Sequence, residues 1–136
     1  MRDSVRIVVR ERASGGCEYC KAPARFSPAP FSVEHIIARI WGGSDALDNL
    51  AFSCQGCNNY KFTCFEWPDP QNGEIVPIFH PRHQNWKGHF EWDESFTLIV
   101  PLTDIGRATI ERLKLNREEL IDLRRVLFAS GEHPPE

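Results

Sequence analysis

At 136 residues, with 41% hydrophobic and 26% charged residues, the chain has the size and make-up of one ordinary globular domain. No apolar run reaches the roughly 18–20 residues that span a membrane, and Arg2 and Asp3 stand where a secretory signal would need an apolar stretch. The expected compartment is therefore the cytoplasm, with no membrane partner. The net charge of −3 excludes a nucleic-acid binder that works by overall basicity, but the charge is uneven: residues 1–61 carry +2 and residues 62–136 carry −5. A local patch of Arg6, Arg10, Arg12, Lys21, Arg25, Arg39 and Lys61 could still meet a phosphate backbone.

In chain order, Val5, Val8 and Val9 sit at helical spacing, so a helix is predicted over 4–13, although the β-branched content also suits a strand. Gly15-Gly16 ends it and leads to Cys17-Glu18-Tyr19-Cys20, a turn that can present two sulfurs. Residues 31–37 and 50–53 read as short strands around a Gly42-Gly43 loop. Cys54-Gln-Gly-Cys57 follows, with a short helix from about Asn58. Pro68, Pro70, Asn72-Gly73 and Pro77 forbid regular helix between 66 and 80. A hairpin is expected from Phe90–Trp92 and Phe96–Val100 around Asp93-Glu94-Ser95. Thr103 or Asp104 can cap a helix that places Ile110 and Leu113 on one face. Asn116 with Glu119 resembles a capping box for a second helix with Leu120, Leu123 and Leu127 on its apolar side. Gly131 stops it, and the His133-Pro-Pro tail is expected to fray.

The chemistry concentrates in the first half. Cys17, Cys20, Cys54 and Cys57 make a Cys₄ set whose x₂ spacing suits a closed, structural Zn²⁺ site. Cys64 is left over as a small apolar filler or free thiol. Between the pairs lie Glu34-His35 and Asn49, and beyond the second pair Asn58 and Lys61. A neutral histidine can take a proton from water near working pH, and one hard cation can stabilise charge on a phosphodiester. Adjacent strand residues point to opposite sides, so Glu34 and His35 can share a site only if the strand kinks there. Asn49 can bond backbone groups across the loop, Asn58 can offer a carbonyl oxygen beside Glu34, and Lys61, one turn on, can reach phosphate. His80, Arg82 and Arg39 are further candidate phosphate contacts. Trp41, Trp67, Trp86 and Trp92 could stack on bases, although packing is expected for at least three of them.

The run Glu34-His35-Ile36-Ile37, the Gly-Gly loop, Asn49-Leu50 and Cys57-Asn58-x-x-Lys61 resembles the HNH endonuclease family over about residues 10–63. The segment from Asn72-Gly73 through Phe79-His80-Pro81-Arg82 to His89-Phe90-x-Trp92 is similar to stand-alone bacterial HNH proteins, common in cyanobacteria. The resemblance implies an α+β fold: a single domain over 1–136 with a ββα-metal motif, zinc knuckles, an extra β-hairpin and two C-terminal helices, with an extension over 64–130. It implies His35 as general base, Asn49 as loop organiser, and Glu34 and Asn58 as ligands of a catalytic Mg²⁺ or another divalent ion such as Mn²⁺ or Ni²⁺. The implied activity is metal-dependent phosphodiester hydrolysis, with DNA the expected substrate. Glu34 departs from the commoner Asp, and Ala38-Arg39 replaces a frequent Pro. Two alternatives stay open: a non-catalytic zinc module that binds nucleic acid or protein, and a thiol redox protein built on the CxxC pairs.

Overall fold

The computed structural model describes residues 2–135. Its first helix, α1 (Asp3–Arg12), carries Asp3 in its first turn and Arg10 and Arg12 in its last, each sign matching the helix dipole. Val5 and Val9 face the core, but Val8 is exposed. Arg12 reaches forward to the carbonyls of Leu47 and Leu50, fixing α1 to the next sheet. Gly15 then turns the chain at φ +72°, and a bridge between Gly16 and Pro23 closes the first cysteine knuckle.

Strands β1 (Ser32–His35) and β2 (Leu50–Ser53) pair antiparallel, with Glu34 opposite Ala51 and His35 opposite Leu50. Helix α2 (Gln55–Lys61) follows at once and packs against β1. It begins three residues earlier than its polar sequence suggests, because the Cys54 sulfur serves as its N-cap and accepts the Cys57 N–H. The turn-rich stretch after it forms a short hairpin, β3 (Glu66–Pro68) with β4 (Ile75–Pro77), closed by Asp69 and by Gly73 at φ +78°. Asp69 is buried at the bend and clasped by Arg107 at 2.7 Å.

One short turn of helix, α3 (Trp86–His89), sends the Trp86 indole N–H to the Tyr19 carbonyl and so ties the C-terminal half to the knuckle. Strand β5 (Phe90–Trp92) pairs with β6 (Ile99–Pro101). The second strand starts later than predicted because the Asp93 carboxylate accepts the N–H groups of Thr97 and Leu98 and holds a turn there. Thr103 caps α4 (Asp104–Leu113) as expected. Asn116 caps nothing: its amide clasps both backbone groups of Ile99, and α5 (Glu118–Ala129) starts after Arg117. The tail is not frayed as far as His133, which is buried, bonds the Phe96 carbonyl and meets the edge of Trp92. The described residues thus form an α+β domain of five helices and three two-stranded antiparallel sheets. Its continuous core runs from Val9 and Tyr19 through Phe52 to Phe79, Phe90 and Leu113. No helix of the described residues is long and apolar enough to cross a membrane.

Candidate active site

The four cysteines converge. Their sulfurs lie within 4.8 Å of one another, all are buried, and none is in a disulfide. Cys20 and Cys54 are 3.7 Å apart across the two knuckles. A tetrahedron with Zn–S bonds of ~2.3 Å has edges of about 3.8 Å, so the set is already spaced for zinc. Backbone N–H groups of Cys20 and Cys57 point at the sulfurs of Cys17 and Cys54. One further partner escaped the sequence reading: the Arg117 guanidinium lies 3.5 Å from the Cys54 sulfur and 3.6 Å from that of Cys57. Burial works against the charge of Arg117, but the thiolates outweigh it and hold its pKa above the usual arginine value. A Cβ at Gly56 would collide with that guanidinium, so a side chain there would push Arg117 away from the sulfurs. An arginine sixty residues downstream leaves no local signal of this role.

Beyond the zinc, the β1–β2 connection is organised by Asn49 as the sequence suggests. Its side-chain oxygen accepts the Ile37 N–H, and its amide donates to the carbonyls of Ile37 and Ser44. Gly43 passes so close to the Ile37 carbonyl that no side chain fits. This clamp fixes the loop that begins at His35. The imidazole of His35 is mostly covered, and its Nε2 lies 2.7 Å from Oδ1 of Asp45 in the same loop. Arg39 bonds that oxygen as well, at 2.8 Å. Hydrogen bonds from His35, then from Arg39, hold the Asp45 carboxyl below its ordinary range, so it is ionised. Asp45 drew no notice in the sequence. The signal was present, in an acidic residue two places after the Gly-Gly that folds the loop back over His35.

Glu34 is placed elsewhere than the sequence reading put it. The strand does not kink at residue 34: pairing continues in register to His35, so the two side chains take opposite sides. Glu34 turns into the core, where Tyr19 donates to one carboxylate oxygen and Lys61 sits 3.2 Å from the other. Burial raises the Glu34 pKa, against the opposing charge of Lys61 and the Tyr19 hydrogen bond. Burial, then the Glu34 charge, pushes the Tyr19 phenol well above its usual value and keeps it a donor. Lys61 is only 1% exposed and also donates to the carbonyls of His35 and Ile36, at 3.3 and 2.8 Å. It is a strut under the end of β1, not a group that reaches phosphate. Asn58, half-buried one turn earlier on α2, has no hydrogen bond to Glu34, whose carboxylate oxygens meet Tyr19 and Lys61.

The other candidates divide. Arg82 is nearly buried against Glu18, and burial and the charge of Arg12 lower its pKa to about 10. Its guanidinium is committed to Glu18 with little surface left open. His80 accepts the N–H groups of Arg82 and His83 on its Nδ1 and stacks on the His83 ring. Burial and the neighbouring His83 hold its pKa down, so it organises a turn and carries no charge for phosphate. Arg39 alone of the three is exposed beside His35. Much of the expected basic patch is already engaged within the protein: Arg6 and Arg12 bond carbonyls, Arg25 pairs with Glu132 at the surface, and Lys61 is buried. Trp86 is buried and Trp67 and Trp92 are half-buried, whereas Trp41 is exposed.

A β-hairpin followed directly by a helix, clamped by a four-cysteine cluster suited to structural zinc and carrying a histidine at the end of its first strand, defines a ββα unit. The family model described as HNH endonuclease matches residues 17–62, from the first zinc cysteine to the residue after Lys61. The match covers this ββα unit, 46 of the 136 residues. No curated protein and no solved structure matches the chain.

Proposed function

We propose that the protein is an endonuclease that hydrolyses phosphodiester bonds of nucleic acid, with DNA as its substrate and His35 as general base. The observation that carries this reading is the His35–Asp45 pair on a loop locked by Asn49. Nε2 faces the Asp45 carboxylate, which favours the tautomer with its proton on Nε2 and leaves Nδ1 free to accept a proton from water. Asp45 is thus a positioning residue that also stabilises the imidazolium formed as water is deprotonated. Arg39, sharing the same carboxylate, is the cation nearest the reacting phosphate. The zinc is structural: four thiolates fill its tetrahedron and leave no position for water. Dependence on Mg²⁺, Mn²⁺ or Ni²⁺ belongs to the proposal, and the pairing of Glu34 with Lys61 argues against Glu34 as its ligand.

That commitment also favours a second reading, in which the ββα unit binds nucleic acid without cutting it. Nicking of supercoiled plasmid by the zinc-loaded protein, across Mg²⁺, Mn²⁺, Ni²⁺ and Ca²⁺ and beside His35→Ala, separates the two. The nuclease reading requires nicking that His35→Ala abolishes. Plasmid left intact with every cation, or cut equally by the variant, hands the lead to the zinc module.

A further inference from the structure

Three aromatic or aliphatic side chains beside the loop of His35 stand largely exposed. Trp41 closes the 3-10 turn Arg39–Trp41 and is 57% exposed, yet it is firmly held: its indole N–H donates to the Thr63 carbonyl at 2.9 Å, and its ring meets the edge of Phe65. Ile40, in the same turn, is 73% exposed. Phe62, the neighbour of Thr63, is also 73% exposed and ends α2 at φ +52°, ψ −124°. An L residue rarely adopts that conformation, and glycine would take it freely. Phe96 has a similar φ but stacks its ring on Phe128, so its side chain has an internal reason to be there. Phe62 keeps a strained backbone while offering its ring to solvent. Backbone strain held at an exposed aromatic points to an external partner.

We infer that Trp41, Ile40 and Phe62 form a stacking rim for unpaired nucleobases of the substrate, which makes single-stranded or distorted segments the preferred substrate class. The inference rests on the nuclease reading above and deepens it. The rim is continuous with the proposed base: Arg39 of the Trp41 turn bonds Asp45, and Asp45 bonds His35. A fixed indole face and a phenyl ring beside an exposed guanidinium match the two parts of a nucleotide, a π-face and a phosphate. Bases inside a duplex show their faces only to each other, so such a rim can engage only bases that have left the stack. Trp86 is buried, and the half-buried Trp67 and Trp92 have Arg112 and Arg124 over their rings, so none offers an equivalent free face.

The test is fluorescence anisotropy with a labelled single-stranded oligonucleotide and its duplex, using zinc-loaded full-length His35→Ala so that nothing is cut. The single strand should bind more tightly than the duplex. Adding Trp41→Ala or Phe62→Gly should weaken single-strand binding by roughly 5- to 150-fold, the range of one lost base–aromatic stack, with an unchanged salt slope because no phosphate contact is removed. Trp41→Phe should retain most of the affinity. Phe62→Gly relieves the strained backbone, so weaker binding by a variant of undiminished thermal stability cannot be blamed on misfolding. Single-strand affinities within twofold of the parent for both variants, a preference for duplex, or no binding of either oligonucleotide would overturn the proposal. The nuclease reading fails by a different result, intact plasmid with every cation, and it survives if plasmid is nicked while the rim variants bind as the parent does.

Discussion

Lys61→Met should be among the most damaging single substitutions in the chain. The parent ammonium is 1% exposed and serves three acceptors: Glu34 at 3.2 Å and the carbonyls of His35 and Ile36 at 3.3 and 2.8 Å. Without it, Glu34 is a buried carboxylate facing only Tyr19. It can escape that state by taking up a proton. From its ordinary value of 4.5, neutralisation at pH 7 costs about 3.4 kcal/mol at ~1.36 kcal/mol per pH unit, and this caps the carboxylate's share. Two carbonyls losing a charged donor add about 1 kcal/mol or more. The total, about 4–5 kcal/mol, agrees with the ~3–5 kcal/mol typical of breaking one side of a buried pair. It is also a large part of the ~5–15 kcal/mol that holds a domain of this size. The sign with pH follows. The Glu34 pKa is raised in the folded variant, so the variant is least penalised near pH 4.5 and loses stability as pH rises. Burial already raises Glu34 in the parent, so the deficit should shrink between pH 7 and pH 5 by less than the ~2.7 kcal/mol that two pH units allow. Urea unfolding of the zinc-loaded proteins measures this directly, and Glu34→Gln/Lys61→Met should recover most of the loss. A deficit under about 1 kcal/mol that does not change with pH would refute the buried pair.

His35→Ala should slow cleavage by roughly 10²–10⁴-fold with zinc content and melting temperature unchanged, and Asp45→Asn should fall between it and the parent; single-turnover cleavage rates check both. Glu34→Gln should leave Mn²⁺ affinity as in the parent, read by titration calorimetry, because Glu34 is no ligand. Zinc analysis should find one ion per chain. Its binding free energy, about 10–16 kcal/mol for such sites, rivals the whole stability of a small domain, so chelation should abolish the circular-dichroism melting transition. Asp69, held below its ordinary 3.8 by Arg107, contributes stability that is complete above that value and fades as pH falls through the lowered one. Asp69→Asn should therefore flatten the acid limb of the urea midpoint plotted against pH.

The parts of this structure that were legible in the sequence are those with local causes. The CxxC spacing, the Leu50–Ser53 strand, the Thr103 cap and the loop role of Asn49 each depend on a few neighbouring residues and a rule that those residues obey. What could not be read depends on partners far along the chain. Arg117 lies beside the zinc sulfurs because α4 and α5 return to α2, and Asn116 holds Ile99 rather than capping a helix because β6 lies within its reach. Glu34 is the instructive case. Strand alternation alone sends it away from His35, and a kink had to be supposed to bring the two together. The alternation holds because Lys61 waits on the inner side, where it can satisfy a buried carboxylate. A lysine at the end of a short polar helix gives no sign in the sequence that its ammonium will be enclosed.

The zinc and the proposed base are consequently linked by one unbroken set of contacts. Cys17 and Cys20 fix the knuckle that carries Tyr19; Tyr19 bonds Glu34, Glu34 pairs with Lys61, and Lys61 holds the carbonyl of His35. Each member is buried, so none can swing aside without leaving a polar group unpaired, and the end of β1 is tied to the cysteine cluster some distance away. This gives the Tyr19–Glu34–Lys61 cluster a positioning role in place of the ligand role that its sequence neighbourhood suggests. It also explains why a Glu serves here: the longer side chain need only span the core to an ammonium and a phenol, with no octahedral ion to fit. Tyr19→Phe should then act mildly, removing one hydrogen bond and about 1–2 kcal/mol of stability while zinc stays bound. Cleavage by that variant should fall only as far as the loosened His35 backbone allows. Loss of zinc from Tyr19→Phe, or a rate unchanged in Lys61→Met that has been restabilised by Glu34→Gln, would break the proposed link between the metal and the base.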